Sequence, residues 1–498
     1  MTTSISKKEL SVEVVEGVEA PVTEEVKEPS VYKIRHTLAS RFAFLVICVA
    51  IVTTALAYGT VHYWALGIFN LGALTILILW VVDAWGLRTL RISRSALQLP
   101  LLGLILLAIV QLLPFGAVDS TGNIANVSRS LSFDPYSTRL FLIQLSTLFV
   151  YFAAALVFID TPHRLQLMVR TIMIFGFLLA IFGLTQSIAS PNKVYWMREL
   201  SQSTAFGPFI NRHHFAGYME LTIALPLGLL FAGAIDREKI LLYVFIAGLM
   251  GVALVMTGSR GGIISLVLEI LFFVIVTGLS RPAGGEHHHH HQSSRLKSAG
   301  IRVGLGIALI VGLFAGVMLM GGESSIMRFI DTVNTDDPST GRTHFWSVTL
   351  EIIKHNPILG TGLGAFGVVY TRFDSRNGLF RLEQAHNDYL QILSDAGIVG
   401  AVIGLVFLVL LFRGAFQRAK SEDPFRRGIA LAAAGGCFAV LIHSFFDFTL
   451  HTTSNALLFL ILAALATLNG RVEQVTRKRK RKRGRSSSTE PQSNEVLI

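Results

Sequence analysis

The sequence predicts an all-α, polytopic integral membrane bundle of about twelve transmembrane helices, with one large outward loop that contains short helices. Three observations carry this expectation. Apolar runs of about 20 residues recur along the chain, the length a helix needs to cross a bilayer. Only 15% of the 498 residues are charged, where a soluble domain carries about 25%, so much of the surface faces lipid. The basic residues gather in alternate connections, which fixes the sides.

The apolar spans centre on residues 39–58, 61–82, 96–114, 139–159, 166–189, 213–234, 240–257, 261–279, 301–321, 397–412, 428–449 and 454–470. An even number of spans puts both termini on one side. Arg88, Arg91 and Arg94, then Arg237 and Lys239, then Arg281, Arg295 and Lys297 fall in connections on that side. The loop from Arg413 to Arg427 adds five more basic residues, so this side is the cytoplasm. Residues 1–38 are polar, rich in glutamate and without a basic segment leading into a short apolar core, so they read as a disordered cytoplasmic tail and not as a secretory signal. Residues 39–470 form the transmembrane domain, and 471–498 a basic cytoplasmic tail.

The net charge of +11 is concentrated in that last tail: Arg477 to Arg485 supplies eight positive charges, leaving +3 for the rest. Beside a final span such a run suits anionic membrane lipid, at about 1 kcal/mol per basic residue. No folded basic domain accompanies it, so nucleic acid is not the expected partner. Cys48 and Cys437 lie in apolar runs and imply no disulfide framework. The five histidines at 287–291 have no carboxylate or cysteine at a fixed spacing, so they read as low complexity and no metal site is expected there.

Three outward connections remain, 115–138, 190–212 and 322–396, and the longest is where a membrane enzyme places substrate contacts. Within it, Arg342 to His355 has helical apolar spacing, with Ser339 or Thr340 available to cap it and Pro357 to stop it. Gly360, Gly362, Gly364 and Gly367 follow as a flexible turn. The literal G-x-G-x-x-G of residues 362–367 follows no strand, so it is no dinucleotide fingerprint.

Several polar residues stand where burial makes them costly. Arg260, flanked by Gly258, Gly261 and Gly262, either snorkels to the interface or turns inward to bind an anion such as phosphate. Arg342 is either a surface residue or points back to the bundle. Asn211, Arg212, His213 and His214 form a dense polar cluster at the mouth of the sixth span. His443 and Asp447, four apart in the eleventh span, share a helical face, as a structural pair or as pocket lining. Glu269, within the eighth span, needs a polar interior or a partner. His386 ends the long loop, followed by Asn387 and by Gly397 and Gly400 on the same face of an expected helix, where small residues admit a close neighbour. It is an interface histidine, a structural hydrogen-bonding group, or a general base, which contributes ~10²–10⁴-fold.

These segments together resemble the O-antigen ligase and polymerase superfamily. The pattern His-[Asn/Ser/Gln], nine residues, Gly-x-x-Gly is matched by His386, Asn387, Gly397 and Gly400. NRHHFAGY at 211–218, GSRGG at 258–262, GRTHFW at 341–346, HNPILGTGLGAF at 355–366 and HSFFDF at 443–448 look like family segments in the family's order. The resemblance implies an inverting, metal-independent glycosyltransferase of the bacterial inner membrane, with its active site facing the periplasm. It implies an undecaprenyl-pyrophosphate-linked glycan as donor, a glycan or lipid A–core hydroxyl as acceptor, and no cofactor. Carried over by position, Arg260 and Arg342 grip the diphosphate and His386 activates or orients the acceptor. Asn211, Arg212 and His213 are expected substrate contacts, and Asn387, His443 and Asp447 complete the binding set. Ligase, polymerase and protein-glycosylating members share these residues. A transporter of anionic lipid or solute is the competing reading; it accounts for the spans but not for the concentration of polar residues in one outward loop.

Overall fold

The computed structural model describes residues 36–115, 130–190, 193–200, 204–279, 292–319, 341–376, 382–469 and 472–473. The expected tails over residues 1–35 and 474–498, the five-histidine run and the cap candidates Ser339 and Thr340 lie outside the described residues.

The first half of the bundle comprises α1 (Leu38–Leu56), α2 (Tyr63–Leu87), α3 (Gln98–Gln111), α4 (Pro135–Phe158), α5 (Pro162–Ala189), α6 (Arg212–Phe231) and α7 (Ile240–Met256). The second comprises α8 (Arg260–Leu279), α9 (Gln292–Leu319), α10 (Arg342–His355), α11 (Phe366–Phe373), α12 (Asp388–Arg418), α13 (Pro424–His443) and α14 (Thr453–Thr467). A two-residue hairpin, β1 (Lys193–Val194) with β2 (Arg198–Glu199), joins α5 to α6. Asp134, Thr161 and Asp423 cap helices whose first residue is proline, so each start has both an acceptor for free N–H groups and a preset φ.

Nine helices among the described residues are long and apolar enough to cross a membrane: α1, α2, α4 to α8, α12 and α13. Three shorter apolar helices, α3, the Val303–Leu319 part of α9, and α14, stand at the expected third, ninth and twelfth positions. The protein is an integral membrane protein. α2 and α12 turn large apolar side chains outward, among them Leu71, Val81, Val402 and Val409, as a lipid-facing surface requires. α6 is the central helix, packed on α5, α7, α8, α13 and α14. The run of small residues in α13 explains the closest of these contacts. A Cβ added at Gly228 of α6 would overlap the backbone of Ala432, and one at Gly436 of α13 would come within 2.8 Å of Ala224.

At the end that carries the basic connections, polar groups are structural. Arg91 donates to Asp83 at 2.7 Å and to Asp160 at 2.9 Å, and Arg164 donates to Asp160 at 3.3 Å and to Ser40 at 3.0 Å. These bonds tie the ends of α1, α2, α4 and α5 together. Arg426 is buried and donates to the carbonyls of Leu465, Ala466 and Leu468, closing the C-terminus of α14.

Three expectations change. α10 spans Arg342–His355 as expected, yet its N-cap is Gly341 with no side-chain cap bond. α13 ends at His443, so Asp447 lies in the turn beyond the helix and the two residues do not share a helical face. The chain after His386 is helical from Asp388, but it breaks at Gly397, whose φ of 62° and ψ of −163° lie outside any helix. Gly397 is therefore no packing stripe in phase with His386. Residues 357–362 cross the break instead: Ile398 N–H donates to Pro357 O at 2.8 Å, Val399 N–H to Ile358 O at 3.2 Å, and Thr361 N–H to Ser394 O at 2.9 Å. The glycine turn is thus pinned, and Gln111 at the end of α3 holds it from behind by donating to Leu359 O and Asp395 O.

Candidate functional site

The end of the bundle opposite the basic connections collects the first residues of α6, α8, α10 and α12, together with the 444–448 turn after α13. Each start is locally determined. Asn211 caps α6 by accepting from His213 N–H at 2.9 Å. Ser259 precedes α8, and its Oγ accepts from Gly262 N–H at 3.2 Å. Asn387 caps α12 by accepting from Tyr389 and Leu390 N–H, while its amide donates to Phe445 O at 3.2 Å. The two asparagines expected to touch substrate thus use their side-chain oxygens on helix starts. They hold the turns that present His213 and His386.

Asp447 is the hub. Its side chain is only 1% exposed; Oδ1 accepts from His386 Nδ1 at 3.2 Å and from Phe448 N–H at 2.9 Å. Oδ2 lies 3.8 Å from His213 Nδ1 and 3.9 Å from Arg342 Nη2, too far for a hydrogen bond, and has no hydrogen-bond partner among the described residues. Burial alone would raise the Asp447 carboxyl, but the bond from His386 and the surrounding imidazoles outweigh it and hold the group well below the usual carboxylate range. Asp447 is therefore ionised at working pH.

His386 sits at φ 50°, the left-handed region that a non-glycine residue seldom occupies. It is half-buried, its ring edge-on to Phe448 at 4.8 Å and stacked over Phe345 of α10 at 6.2 Å. Trp346 of α10 donates to Ala385 O, pinning the chain just before it. Bonded through Nδ1–H to a carboxylate, the imidazole keeps Nε2 as a lone-pair acceptor, the form a general base needs.

Arg342, the first residue of α10, lies beside Asp447, and Arg260, the first residue of α8, is near enough for the two like charges to interact. Burial presses the Arg342 guanidinium below its ordinary value, Asp447 opposes this, and Arg260 adds to it. Arg212 approaches from α6, its Nη1 3.6 Å from where a side chain at Gly258 would begin. Three arginines at three helix N-termini make a strongly anion-seeking end.

Beside this cluster lies a second layer. His443 is 1% exposed, with Nδ1 2.8 Å from Glu220 Oε1 and Nε2 3.4 Å from Ser259 Oγ. Ser259 Oγ in turn lies 2.8 Å from His213 Nδ1. Sequence pattern alone assigns Glu220 and Ser259 no role. Glu220 is a lone carboxylate in an apolar span, the same signal that drew attention to Glu269. His213, His443 and Asp447 each have one donor atom within 4.8 Å of the others'. Hydrogen bonds already engage His213 Nδ1, both nitrogens of His443 and Asp447 Oδ1. His213 Nε2 and Asp447 Oδ2 are the donors left over, where a protein ion site supplies three or four.

A cavity of about 430 Å³ lies beside the start of α12, between α3, α4, α12 and α14. Its walls are apolar, with Leu101, Leu148, Leu405 and Phe459 among them, and Asp388 and His451 stand at a polar margin, joined at 2.8 Å.

The structure thus brings Arg260, Arg342, His386, Arg212, His213, His443 and Asp447 together from positions more than 200 residues apart. Comparison with known proteins covers part of this set. Residues 245–405 match the family model described as O-antigen ligase, a stretch that includes Arg260, Arg342 and His386. The exopolysaccharide production protein ExoQ of Rhizobium meliloti (strain 1021) is 25% identical over 145 residues, which are 27% of this chain and 31% of that protein. The chain spans about a third of the length of this curated relative.

Proposed function

We propose that this chain, which belongs to the O-antigen ligase family, is a glycosyltransferase that moves a glycan from an undecaprenyl-pyrophosphate carrier to an acceptor hydroxyl at the periplasmic face of the bacterial inner membrane. The bundle then has twelve spans, both termini in the cytoplasm, and the 322–396 loop outside. The observation that carries the reading is the His386–Asp447 dyad beside Arg342 and Arg260. Two neighbouring guanidinium groups offer forked donors that match the oxygens of a diphosphate. His386 Nε2 takes the proton of the acceptor hydroxyl as its oxygen attacks the anomeric carbon. The bond from that carbon to the diphosphate breaks with inversion, and the arginines hold the charge that grows on the leaving oxygens. Asp447 keeps the imidazole in the accepting tautomer and stabilises the imidazolium that forms. The apolar cavity beside the dyad suits a donor or acceptor with a hydrocarbon tail. No step draws on a metal or cofactor.

Transfer to lipid A–core makes the protein a ligase of lipopolysaccharide assembly. The similarity to an exopolysaccharide production protein favours a second reading, a polymerase that joins lipid-linked repeats. Purified protein incubated with lipid-linked glycan and acceptor should release undecaprenyl pyrophosphate, and no release in the presence of both overturns the transferase reading. A strain lacking the gene separates the two acceptors: loss of every glycan-bearing band on a gel marks a ligase, and core plus one repeat marks a polymerase.

A further inference from the structure

The hydrogen bonds behind His213 give that residue a direction. The chain starts at Glu220, fully buried in α6, whose Oε1 lies 2.8 Å from His443 Nδ1. With Glu220 as the acceptor, His443 Nδ1 carries the proton, and in the neutral imidazole Nε2 is left as an acceptor. Ser259 Oγ–H, 3.4 Å away, donates to that nitrogen. The serine oxygen then has only lone pairs to offer; it accepts from Gly262 N–H at 3.2 Å and from His213 Nδ1–H at 2.8 Å. With its proton on Nδ1, His213 presents Nε2 as a lone pair. That nitrogen has no hydrogen-bond partner among the described residues, and the side chain is 23% exposed, so it is reachable from the pocket.

We propose that Glu220, His443 and Ser259 are positioning residues that lock His213 with its Nε2 lone pair toward the pocket, where it accepts a hydrogen bond from a sugar hydroxyl of the donor. Phosphate oxygens are acceptors too, so His213 turns them away and leaves them to the arginines. The polar cluster at the start of α6 thus divides its labour: Arg212 faces the anion side and His213 reads the glycan. The inference rests on the glycan-transfer reading above.

The test uses the full-length protein in detergent micelles, with undecaprenyl pyrophosphate release as the rate. Inorganic pyrophosphate serves as a competing probe of the arginine site. Glu220→Leu removes the acceptor that sets the chain's direction and should raise KM for the lipid-linked glycan about tenfold, the loss of one buried hydrogen bond. Inhibition by pyrophosphate should stay within about twofold, since that probe bears no sugar hydroxyl. Glu220→Gln retains an acceptor oxygen and should restore KM to within about twofold of wild type. His213→Ala should raise KM as much as Glu220→Leu, and the double variant should do no worse than His213→Ala alone, because Glu220 acts through His213. Should Glu220→Leu fail to fold, His443→Leu cuts the same chain. Parallel loss of pyrophosphate inhibition, or additive losses in the double variant, overturns the assignment. A wild-type protein that releases no undecaprenyl pyrophosphate instead sinks the transfer reading and this inference with it, an outcome distinct from an active wild type with unaffected variants.

Discussion

Replacing Gly397 by alanine tests how the functional end of the bundle is built. At φ 62° and ψ −163° the residue occupies a region open in practice only to glycine, and any side chain there costs about 1–3 kcal/mol. Space is missing as well: an added Cβ would stand 2.7 Å from Gly360 N and closer still to the carbonyl of Ile358. To relieve that overlap, the 357–360 segment must leave α12 and surrender the bonds from Ile398 N–H to Pro357 O and from Val399 N–H to Ile358 O. At about 1 kcal/mol each, these bring the expected loss to about 3–5 kcal/mol. Gly404→Ala is the control on the same helix, since its Cβ meets nothing within 4 Å and helix propensity favours it by roughly 0.5–1 kcal/mol. Thermal melting in detergent should fall by several degrees for Gly397→Ala and hold or rise for Gly404→Ala. Turnover should fall for Gly397→Ala, because the segment Asp388–Ala396 that seats His386 is aimed by the break. Equal melting of the two variants would refute the reasoning.

Three further outcomes follow from the site and its surroundings. Arg342→Lys keeps the charge but loses the forked donors, so kcat/KM should fall about 10²-fold with a raised donor KM, read from undecaprenyl pyrophosphate release; an unchanged KM contradicts diphosphate binding there. Glu269 is fully buried with both carboxyl oxygens unpartnered among the described residues, so Glu269→Leu should raise stability by about 1–3 kcal/mol in a melting experiment, and a lower melting point would show that it has a partner. For His451, burial alone lowers its pKa and the hydrogen bond to Asp388 more than reverses this, leaving it raised. A raised value means that the pair's stabilisation is complete below the free imidazole's ~6.5 and is lost as pH climbs through the folded-state value. Wild type should therefore lose more stability than His451→Gln between about pH 6 and 8; identical slopes would dismiss the pair.

The order and type of the spans were legible because a helix crossing lipid satisfies its own backbone, and so its length and composition stand in the sequence. Arg260, Arg342 and His386 stand out as charged or titratable groups at the ends of apolar runs, but burial cost alone left each with a structural alternative, and their roles came from the resemblance of the surrounding motifs. What sequence could not give is pairing. The bonds from His443 to Glu220 and to Ser259 cross 223 and 184 residues, and no local pattern encodes them. Spacing also misled. The four-residue interval from His443 to Asp447 implied one helical face, but α13 ends at His443 and the turn beyond it swings Asp447 to His386. Gly397 was assigned to packing because glycine in an apolar helix usually admits a neighbour, whereas here its value is a positive φ at which the helix breaks. Asn211 and Asn387 stand in the expected binding set by their company, and no local pattern announces that their side-chain oxygens also cap the first turns of α6 and α12.

The central claim is that His386, held by Asp447 beside two arginines, takes the acceptor's proton. Single-turnover release of undecaprenyl pyrophosphate by His386→Ala protein, with saturating lipid-linked glycan and acceptor, tests it most directly. The rate should fall by ~10²–10⁴-fold in a protein that melts as wild type does. Release at the wild-type rate by that intact variant would contradict it.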